Sequence, residues 1–397
     1  MARTRIGEKL IEGFIYLSGT TTTLVVLLIV LFLFKEGLGL FATTPLEEGY
    51  VLAIHPQNPL KTLDEASIKK VFNKEVSDWA ALGWKEGGKI KPFLPSNIEK
   101  TFEAQALGQD FENLKPLMTA YFEANPALLV AMPGRYVDEK FPKLKLDNIS
   151  LGDFLGGEDW FPTSQPIHSF GILPIILGTV WICVGALLLA IPMGVIAAIY
   201  LAEIARPAIR SLIMPFIELL AGIPSVIYGF FGLVVIVPII QQTFNLAVGE
   251  TALAGSILLG IIALPTIITI GIDAIQSVPR ELKEASLALG ANHWQTIYKV
   301  VLPYAISGIV SAAILGVGRT VGETMAVLMV TGNAAQIPNS FLMPVRAITA
   351  TVAAELGEAP QGGIHYKALF MLACILFVFT FFMNLLAEWV VSKRERK

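Results

Sequence analysis

Charged residues are scarce in this chain, and their scarcity excludes most classes of soluble protein. Among 397 residues only 15% are Asp, Glu, Lys or Arg, whereas 54% are hydrophobic and the mean hydropathy is +0.65. A soluble domain usually carries about 25% charged residues. The net charge of −3 gives no basic surface for a nucleic-acid partner. The composition therefore predicts an integral membrane protein in contact with lipid.

Residues that build catalytic and metal centres are equally few. The two cysteines, Cys183 and Cys374, lie within apolar runs, which is typical of small core residues. The four histidines are dispersed without metal-ligand spacing, so we expect no metal site. The sequence has neither a G-x-x-x-x-G-K-[ST] phosphate loop nor a nucleophile elbow. We expect no enzymatic activity and no cofactor in this chain; a partner subunit would have to bind any ATP.

Long apolar runs are abundant. A helix that crosses the hydrocarbon core needs about 20 predominantly apolar residues. Six runs meet this requirement: residues 14–34, 172–200, 213–240, 251–275, 303–330 and 368–391. The sequence therefore predicts an all-α polytopic membrane protein with six transmembrane helices.

The distribution of charge predicts the orientation and the domains. Lys and Arg flank the runs before residue 14, near 206–210, at 280–299 and after 391, so these segments and both termini are predicted to be cytoplasmic. Residues 41–170 then lie outside. Roughly half of all charged residues fall in this segment, which predicts a small inserted α/β domain. We divide the chain into a tail and first helix (1–40), this domain (41–170) and a five-helix core (171–397) with a cytoplasmic loop at 276–303.

The cytoplasmic loop has the pattern of two short helices. Pro279 can open the first, and Gly290 can close it in a left-handed conformation. Asn292 and Gln295 form a capping-box pattern for the second. Apolar residues of the first helix recur on one face, which predicts a protein partner; they are Leu282, Ala285 and Leu289.

Two charged residues interrupt the fifth apolar run. Arg319 and Glu323 are four residues apart, so a continuous helix would place them on one face. Intramembrane charges usually face a bundle interior or a water-filled path. We interpret the pair as a substrate or gating site, and the alternative is an ion pair that only locks packing. The hydroxyls of Ser225 and Tyr228 could face the same pathway or bond neighbouring helices.

Two sets of motifs resemble a known family. The residues Glu284-Ala285-Ser286-x3-Gly290-x9-Val300-x-Leu302-Pro303 resemble the EAA loop of ABC-importer permease subunits, with Ser286 and Val300 departing mildly from the usual alanine and isoleucine. Residues 217–229, 264–266 and 318–327 resemble PstC-type phosphate permeases. The resemblance implies the type I importer permease fold.

The resemblance also implies a function and partners. It implies a phosphate importer in the cell inner membrane, in which this chain forms half of the translocation pathway. The partners would be a homologous PstA-type permease, two ATP-binding subunits and an extracytoplasmic phosphate-binding protein. The implied pathway residues are Arg319, Glu323, Ser225, Tyr228 and Thr266, and the implied ATPase-coupling residues are Glu284, Ala285, Ser286, Gly290, Leu302 and Pro303. The alternatives are another oxyanion, such as sulfate or molybdate, and a scaffold or signalling component of a phosphate-sensing complex.

The inserted domain departs from the family pattern. Residues 58–79 resemble a short piece of periplasmic phosphate-binding proteins. The Ser-Gly-Thr turn of those proteins would be expected near residues 95–102, where the glycine is absent. We therefore expect that the domain does not bind phosphate but docks the binding protein, with a structural cap as the alternative.

Overall fold

The structure, a computed structural model, describes the backbone of residues 2–395 and the side chains of residues 11–64, 67–386, 388 and 389. Its α-helices are α1 (Ala2–Leu38), α2 (Glu65–Phe72), α3 (Ile98–Thr101), α4 (Ala104–Leu107), α5 (Leu114–Ala124), α6 (Leu151–Gly156), α7 (Leu173–Ile199), α8 (Pro207–Gly222), α9 (Ser225–Phe231), α10 (Val237–Phe244), α11 (Ala252–Gln276), α12 (Arg280–Ala288), α13 (His293–Thr296), α14 (Leu302–Val321), α15 (Met325–Val330), α16 (Ile348–Glu355) and α17 (Ile364–Glu395). The strands are β1 (Tyr50–Ile54), β2 (Thr62–Leu63), β3 (Lys91–Phe93), β4 (Leu128–Pro133), β5 (Lys143–Leu146), β6 (Trp160–Phe161) and β7 (Ser169–Phe170).

The chain forms two compact units. A helical unit contains the residues up to Gly37, Ile172–Ala359 and those from Leu369 on. An α/β unit contains Leu38–Gly171 together with Pro360–Ala368. The α/β unit is thus discontinuous in sequence, a feature that the apolar runs did not predict.

Six helical stretches are long and apolar enough to cross a membrane. They are Ile11–Ala42, Leu173–Ile204, Ser225–Phe244, Ala252–Gln276, His293–Val321 and Ile364–Leu386. The sequence prediction of six transmembrane helices and a small α/β region is confirmed, although the third and fifth spans differ markedly from their predicted bounds.

The predicted third span is broken. Residues 213–240 form no continuous helix, because α8 ends at Gly222 and α9 begins at Ser225 after the extended residues Ile223 and Pro224. Proline lacks the N–H that an inner helical turn needs and disfavours the helical conformation of the residue before it. The third span therefore begins at Ser225, and α8 is a separate helix.

The fifth span begins and ends earlier than predicted. Helix α14 ends at Val321 and the next helix, α15, begins only at Met325. The run 303–330 is therefore two helices separated by residues 322–324. Arg319 lies before this break and Glu323 within it.

Helix α11 is the centre of the helical unit. It packs against α7 and α14, and most of its side chains are buried. Small residues permit the close approach, since a Cβ at Gly194 of α7 would lie 2.6 Å from Ile267, and one at Gly316 of α14 would lie 2.9 Å from the same side chain. The backbone of α14, and with it Arg319, is thereby fixed against α11.

Helix α1 contacts the rest of the helical unit near its end. Phe32 and Phe34 make edge-on contacts with Phe370 and Phe377 of α17, at ring distances of 5.6 and 6.1 Å. A Cβ at Gly37 would lie 2.8 Å from the Cys374 sulfur. The exposed apolar side chains of residues 11–32 suit contact with lipid.

The α/β unit is built on a five-stranded sheet of order β2-β5-β1-β4-β3. Strand β1 is antiparallel to β4 and β5, while the β2–β5 and β3–β4 pairs are parallel. Alternate residues of the central strands enter two different cores, Leu52 facing Ile68 of α2, and Ala53 facing Met118 and Phe122 of α5. Helices thus cover both faces of the sheet.

Candidate translocation site and coupling segment

Arg319 lies in the last turn of α14, and its side chain is exposed in the isolated chain. The sequence predicted that Glu323 shares its helix face, and this prediction is wrong because α14 ends at Val321. Within the described residues no ion pair joins the two side chains. The guanidinium therefore remains available to a ligand or to a second chain.

Glu323 has a structural task in the break between α14 and α15. Its Oε1 accepts hydrogen bonds from the backbone N–H groups of Thr324, at 3.1 Å, and Ala326, at 3.5 Å. Its own carbonyl accepts a 2.8 Å bond from the hydroxyl of Thr349 at the start of α16. A carboxylate at a helix N-terminus satisfies free N–H groups and complements the helix dipole. Glu323 thus caps the start of α15 and links this start to α16.

Tyr228 stabilises the α8–α9 break. Its hydroxyl donates a 2.8 Å hydrogen bond to the carbonyl of Leu220 in the last turn of α8, and its side chain is buried. Gly229 lets α9 approach α15 closely, with a would-be Cβ only 3.1 Å from the Ala326 Cα. The helix that carries Tyr228 therefore contacts the start of α15, which follows Arg319 closely in sequence.

The two remaining pathway candidates lie at helix irregularities. Ser225 is the first residue of α9 and is half-buried. Thr266 follows Pro265 inside α11 and is also half-buried, and its carbonyl accepts a 3.3 Å bond from the Thr269 hydroxyl. Among the hydrogen bonds of residues 2–395, none links Thr266 to Arg319. The contact of Gly229 with Ala326 connects the helix of Tyr228 to the segment after Arg319, whereas the described hydrogen bonds make no such connection for Thr266.

The coupling segment, residues 279–303, begins with the nine-residue helix α12. Its end is a Schellman motif: Gly290 has φ +88°, its N–H bonds to the Leu287 carbonyl, and the Ala291 N–H bonds to the Ser286 carbonyl. The left-handed conformation predicted for Gly290 is confirmed. Pro279 is the N-cap residue rather than the first residue of the helix.

A capping box begins the second helix of the segment, as predicted. The Gln295 N–H donates to Asn292 Oδ1 at 2.8 Å, and the Asn292 N–H donates to Gln295 Oε1 at 2.9 Å. A π-helical turn over residues 297–301 then leads into α14, in which Leu302 is the first residue and Pro303 the second. The missing N–H of Pro303 fits the first turn of a helix. The segment is therefore continuous with the helix that carries Arg319.

Three side-chain contacts hold the coupling segment in place. Lys283 and Glu203 form a 2.5 Å ion pair whose side chains are 23% and 9% exposed. The His293 Nε2 lies 3.2 Å from the Glu203 carbonyl, and the Ser286 hydroxyl lies 3.0 Å from that of buried Thr296. Sequence reasoning missed Glu203 and Thr296. The acidic residue just after the second apolar run was the available signal for Glu203.

The outer face of the coupling segment is apolar and uncovered in the isolated chain. Leu282, Leu289 and Trp294 are 40%, 89% and 61% exposed. No residue of α12 is buried, and Glu284 and Ala285 are exposed beside the leucines. Such a face is typical of a docking site for another protein.

Comparison with known proteins decides the family. The sequence profile described as "Binding-protein-dependent transport system inner membrane component" matches residues 190–396, which include the coupling segment and the Arg319 site. The chain belongs to this family of permeases. It is therefore a multi-pass inner-membrane component of a transporter that also uses a substrate-binding protein and an ATPase subunit.

Individual relatives resemble the permease over most of their own length. A probable ABC transporter permease, YqgH of Bacillus subtilis, is 39% identical over 251 residues, which are 63% of this chain and 81% of the relative. The phosphate transport system permease PstC of Mesorhizobium japonicum is 37% identical over 263 residues, covering 62% and 79%. The resemblance to PstC-type permeases is thus confirmed.

A solved structure of the MetNI methionine ABC transporter in inward-facing conformations also matches the permease. The identity is 18% and the TM-score 0.44, with 56% of this chain and 94% of that chain covered. The family profile, which begins at residue 190, does not include the Leu38–Gly171 part of the α/β unit.

Ser286 is a departure from the EAA pattern that the structure explains. The usual alanine has no hydrogen-bonding side chain, whereas the Ser286 hydroxyl pairs with that of Thr296 and connects α12 to α13.

Among the described residues of the permease no group of three or more His, Cys, Asp or Glu side chains could hold a metal ion.

The α/β unit has a short internally bonded turn at the position where the anion-binding turn was considered. A 3₁₀ turn at Pro95–Asn97 follows β3, and the Asn97 Oδ1 accepts the N–H of Leu94 at 2.8 Å. The amide of Leu94 is therefore already bonded within the chain.

Proposed function

We propose that the permease is the PstC-type subunit of an ATP-driven importer of inorganic phosphate. The exposed guanidinium of Arg319, in the last turn of a membrane-spanning helix, carries this proposal. A planar guanidinium can donate two parallel hydrogen bonds to an oxyanion. Relatives named as phosphate transport permeases that are 34–37% identical support phosphate as the cargo.

The pathway has two halves, and this chain provides one of them. Arg319 lies on an exposed surface, so a second permease chain of PstA type would complete its surroundings. Arg319 binds the anion; buried Tyr228 and the Glu323 cap hold the helix ends around it. Ser225 and Thr266 line the path on either side of this site. Glu323 limits the attraction of the empty site for anions by its negative charge.

This chain has no phosphate loop, so ATP binding is assigned to partner subunits. Two ATP-binding subunits drive the transporter, and each of them binds ATP. One docks on the coupling segment through Glu284, Ala285 and the exposed leucines. The ion pair of Lys283 with Glu203 then transmits movement of α12 to the end of α7. Continuity through Leu302 and Pro303 transmits it to α14 and Arg319.

The topology follows from this docking. The coupling segment and both termini are cytoplasmic, and residues 41–170 are extracytoplasmic. Basic residues near each cytoplasmic end of the spans support this orientation, among them Arg206, Arg210 and Lys393. Arg396 and Lys397, which complete the terminal basic cluster, lie outside the described residues.

Uptake into proteoliposomes tests the cargo. The permease, its sister chain and the ATPase subunits are reconstituted with internal ATP and the phosphate-binding protein outside. We expect radiolabelled phosphate to accumulate, and a hundredfold excess of sulfate or molybdate to leave its rate unchanged. Strong competition by either anion would replace phosphate with that oxyanion as the cargo.

Copurification tests the coupling segment. The ATPase subunit should copurify with the wild-type permease and be lost after Glu284→Lys together with Gly290→Pro. Glu112→Lys, a charge reversal on the exposed surface of the α/β unit, is the matched control and should retain the subunit. Retention by the double variant would show that the ATPase docks elsewhere.

The α/β unit docks the extracytoplasmic phosphate-binding protein. Its two hydrophobic cores support a folded unit with a defined surface on which a protein can dock. The Leu94 amide is already hydrogen-bonded to Asn97, which supports a role other than anion binding.

A further inference from the structure

Arg346 is a second cationic residue with an unusual environment. It is the one Lys or Arg in the sequence between residues 331 and 366. Its Nη1 donates a 2.7 Å hydrogen bond to Glu355 Oε1, and the two side chains are 19% and 15% exposed. Its Nε is buried and has no hydrogen-bond partner among the described residues. A buried donor without an acceptor is uncommon and calls for a physical explanation.

The backbone of Arg346 is held firmly. A Cβ on Gly178 of α7 would lie 3.2 Å from the Arg346 backbone nitrogen, so the chain crosses α7 in close contact there. Two residues later the N–H of Ile348 donates a 3.0 Å bond to the Thr179 hydroxyl of the same helix. Arg346 can therefore change its side-chain partner without moving its backbone.

Arg346 is also close to the Arg319 site. Thr349, three residues further on, donates the 2.8 Å hydrogen bond to the Glu323 carbonyl in the α14–α15 break. Three residues of extended chain span at most about 10 Å. The backbone of Arg346 consequently lies within about 10 Å of Thr349, which bonds to the segment that links Arg319 to α15.

We propose that Arg346 is a second anion-binding residue of the translocation pathway, which receives phosphate on the extracytoplasmic side of Arg319. This inference rests on the proposed function. The Nε and one Nη of a guanidinium lie on the same edge and match two oxygens of an oxyanion. In the empty pathway Glu355 holds the Nη1, while the Nε remains without a partner until the anion binds. Glu355 keeps its bond to Nη1 on the other side of the guanidinium, and its negative charge favours release of the anion toward Arg319.

A purely structural ion pair gives different results from this arrangement. If Arg346 and Glu355 only lock α16, loss of either side chain has the same effect, and the double variant is no worse than either single variant. If Arg346 binds the anion, loss of the arginine weakens phosphate handling while loss of the carboxylate does not. The pair therefore permits a double-mutant test.

The experiment measures phosphate uptake by the complete reconstituted transporter. We expect Arg346→Gln to raise the KM for the loaded binding protein and phosphate at least tenfold. Glu355→Gln should leave the KM unchanged or lower it, and adding Glu355→Gln should not rescue Arg346→Gln. Arg346→Lys, which keeps the charge but not the fork, should fall between wild type and Arg346→Gln. Arg135→Gln removes an exposed arginine of the α/β unit and serves as the matched control with an unchanged KM.

Three outcomes overturn the inference. They are an unchanged KM in Arg346→Gln, equal defects in Arg346→Gln and Glu355→Gln, and recovery of uptake in the double variant. If Arg346→Gln does not assemble with the ATPase subunit, Arg346→Lys and Glu355→Gln decide by the same criteria. Absence of phosphate uptake by the wild-type transporter would instead refute the proposed function. The two failures are thus distinguishable.

Discussion

Arg319 and Glu323 have different structural roles although they are only four residues apart. Arg319 is exposed at the end of α14, whereas the Glu323 carboxylate accepts backbone N–H groups at the start of α15. The sequence identified both residues because charges in apolar runs are rare. It could not assign the role of Glu323, because a break after Gly322 depends on a local side-chain-to-backbone bond that competes with the helix.

Replacement of Arg319 should abolish transport without unfolding the permease. We expect Arg319→Gln to reduce phosphate uptake at least a hundredfold, because the amide cannot form the charged fork, while Arg319→Lys retains partial activity. Uptake rates are compared with the yield and copurification of the ATPase subunit, which should both remain normal. If Arg319→Gln transports normally, the residue is structural and the transport-site assignment fails.

Glu323 offers a separate test of the helix cap. Glu323→Gln keeps an oxygen acceptor for the Thr324 N–H, whereas Glu323→Ala removes it. We expect the alanine variant to lose about 1 kcal/mol of local stability at α15, the usual cost of a lost cap. Hydrogen exchange of the α15 amides should accelerate in Glu323→Ala and stay near the wild-type rate in Glu323→Gln. Equal exchange in both variants would contradict the capping role.

In the coupling segment, some structural features follow from residues that are close in sequence, and others do not. The positive φ of Gly290 and the Asn292–Gln295 capping box both follow from local chemistry, and both are present. The contact that orients α12, by contrast, joins Lys283 to Glu203 across 80 positions of sequence. One sequence contains no local signal for such a pair.

This ion pair should matter for coupling. Because Glu203 is only 9% exposed, removal of its partner leaves a poorly hydrated charge, and α12 loses its attachment to the end of α7. We expect Lys283→Met to lower substrate-stimulated ATP hydrolysis several-fold while the ATPase subunit still copurifies. The reversed pair, Lys283→Glu with Glu203→Lys, should restore part of the stimulation. If Lys283→Met shows normal stimulation of ATP hydrolysis and the reversed pair shows no recovery, the ion pair does not connect α12 to the transport cycle.

The β6–β7 hairpin of the α/β unit should weaken in acid. Burial is the largest cause that lowers the pKa of His168 from its ordinary value, and the charge of His365 lowers it further. The unfolded state therefore binds a proton more readily, so stability is greatest above the ordinary histidine pKa of about 6.5 and decreases as the pH falls through it. Amide exchange of β6 and β7, corrected for intrinsic rates, should show greater opening at pH 5.5 than at pH 7.5. His168→Gln should remove this difference; a persistent difference would assign the titration to another group.

At the scale of the whole molecule, the apolar runs predicted six spans and the charge density predicted an α/β insertion. The breaks at Ile223–Pro224 and at residues 322–324 were not predicted, because apolar composition measures lipid compatibility and not helix continuity. Pro224 was the available sign for the first break. The assembly of Pro360–Ala368 with Leu38–Gly171 depends on tertiary contacts that leave no periodic pattern.

Deletion of residues 46–160 tests the role of the α/β unit. We expect the shortened permease to copurify with the ATPase subunit but to lose binding of the phosphate-binding protein, because the docking surface is gone. Binding is measured with the loaded protein on permease in nanodiscs. Unchanged binding and uptake would leave the unit as a structural cap.

The discontinuity of the α/β unit has a consequence for biosynthesis. Its first 134 residues, Leu38–Gly171, leave the ribosome early, whereas Pro360–Ala368 follow only after four further spans have been made. The sheet and its two cores can form at once, yet the unit is complete only when the last span is inserted. A nascent chain that has not yet reached residue 360 therefore lacks part of the α/β unit, even if its sheet has already formed.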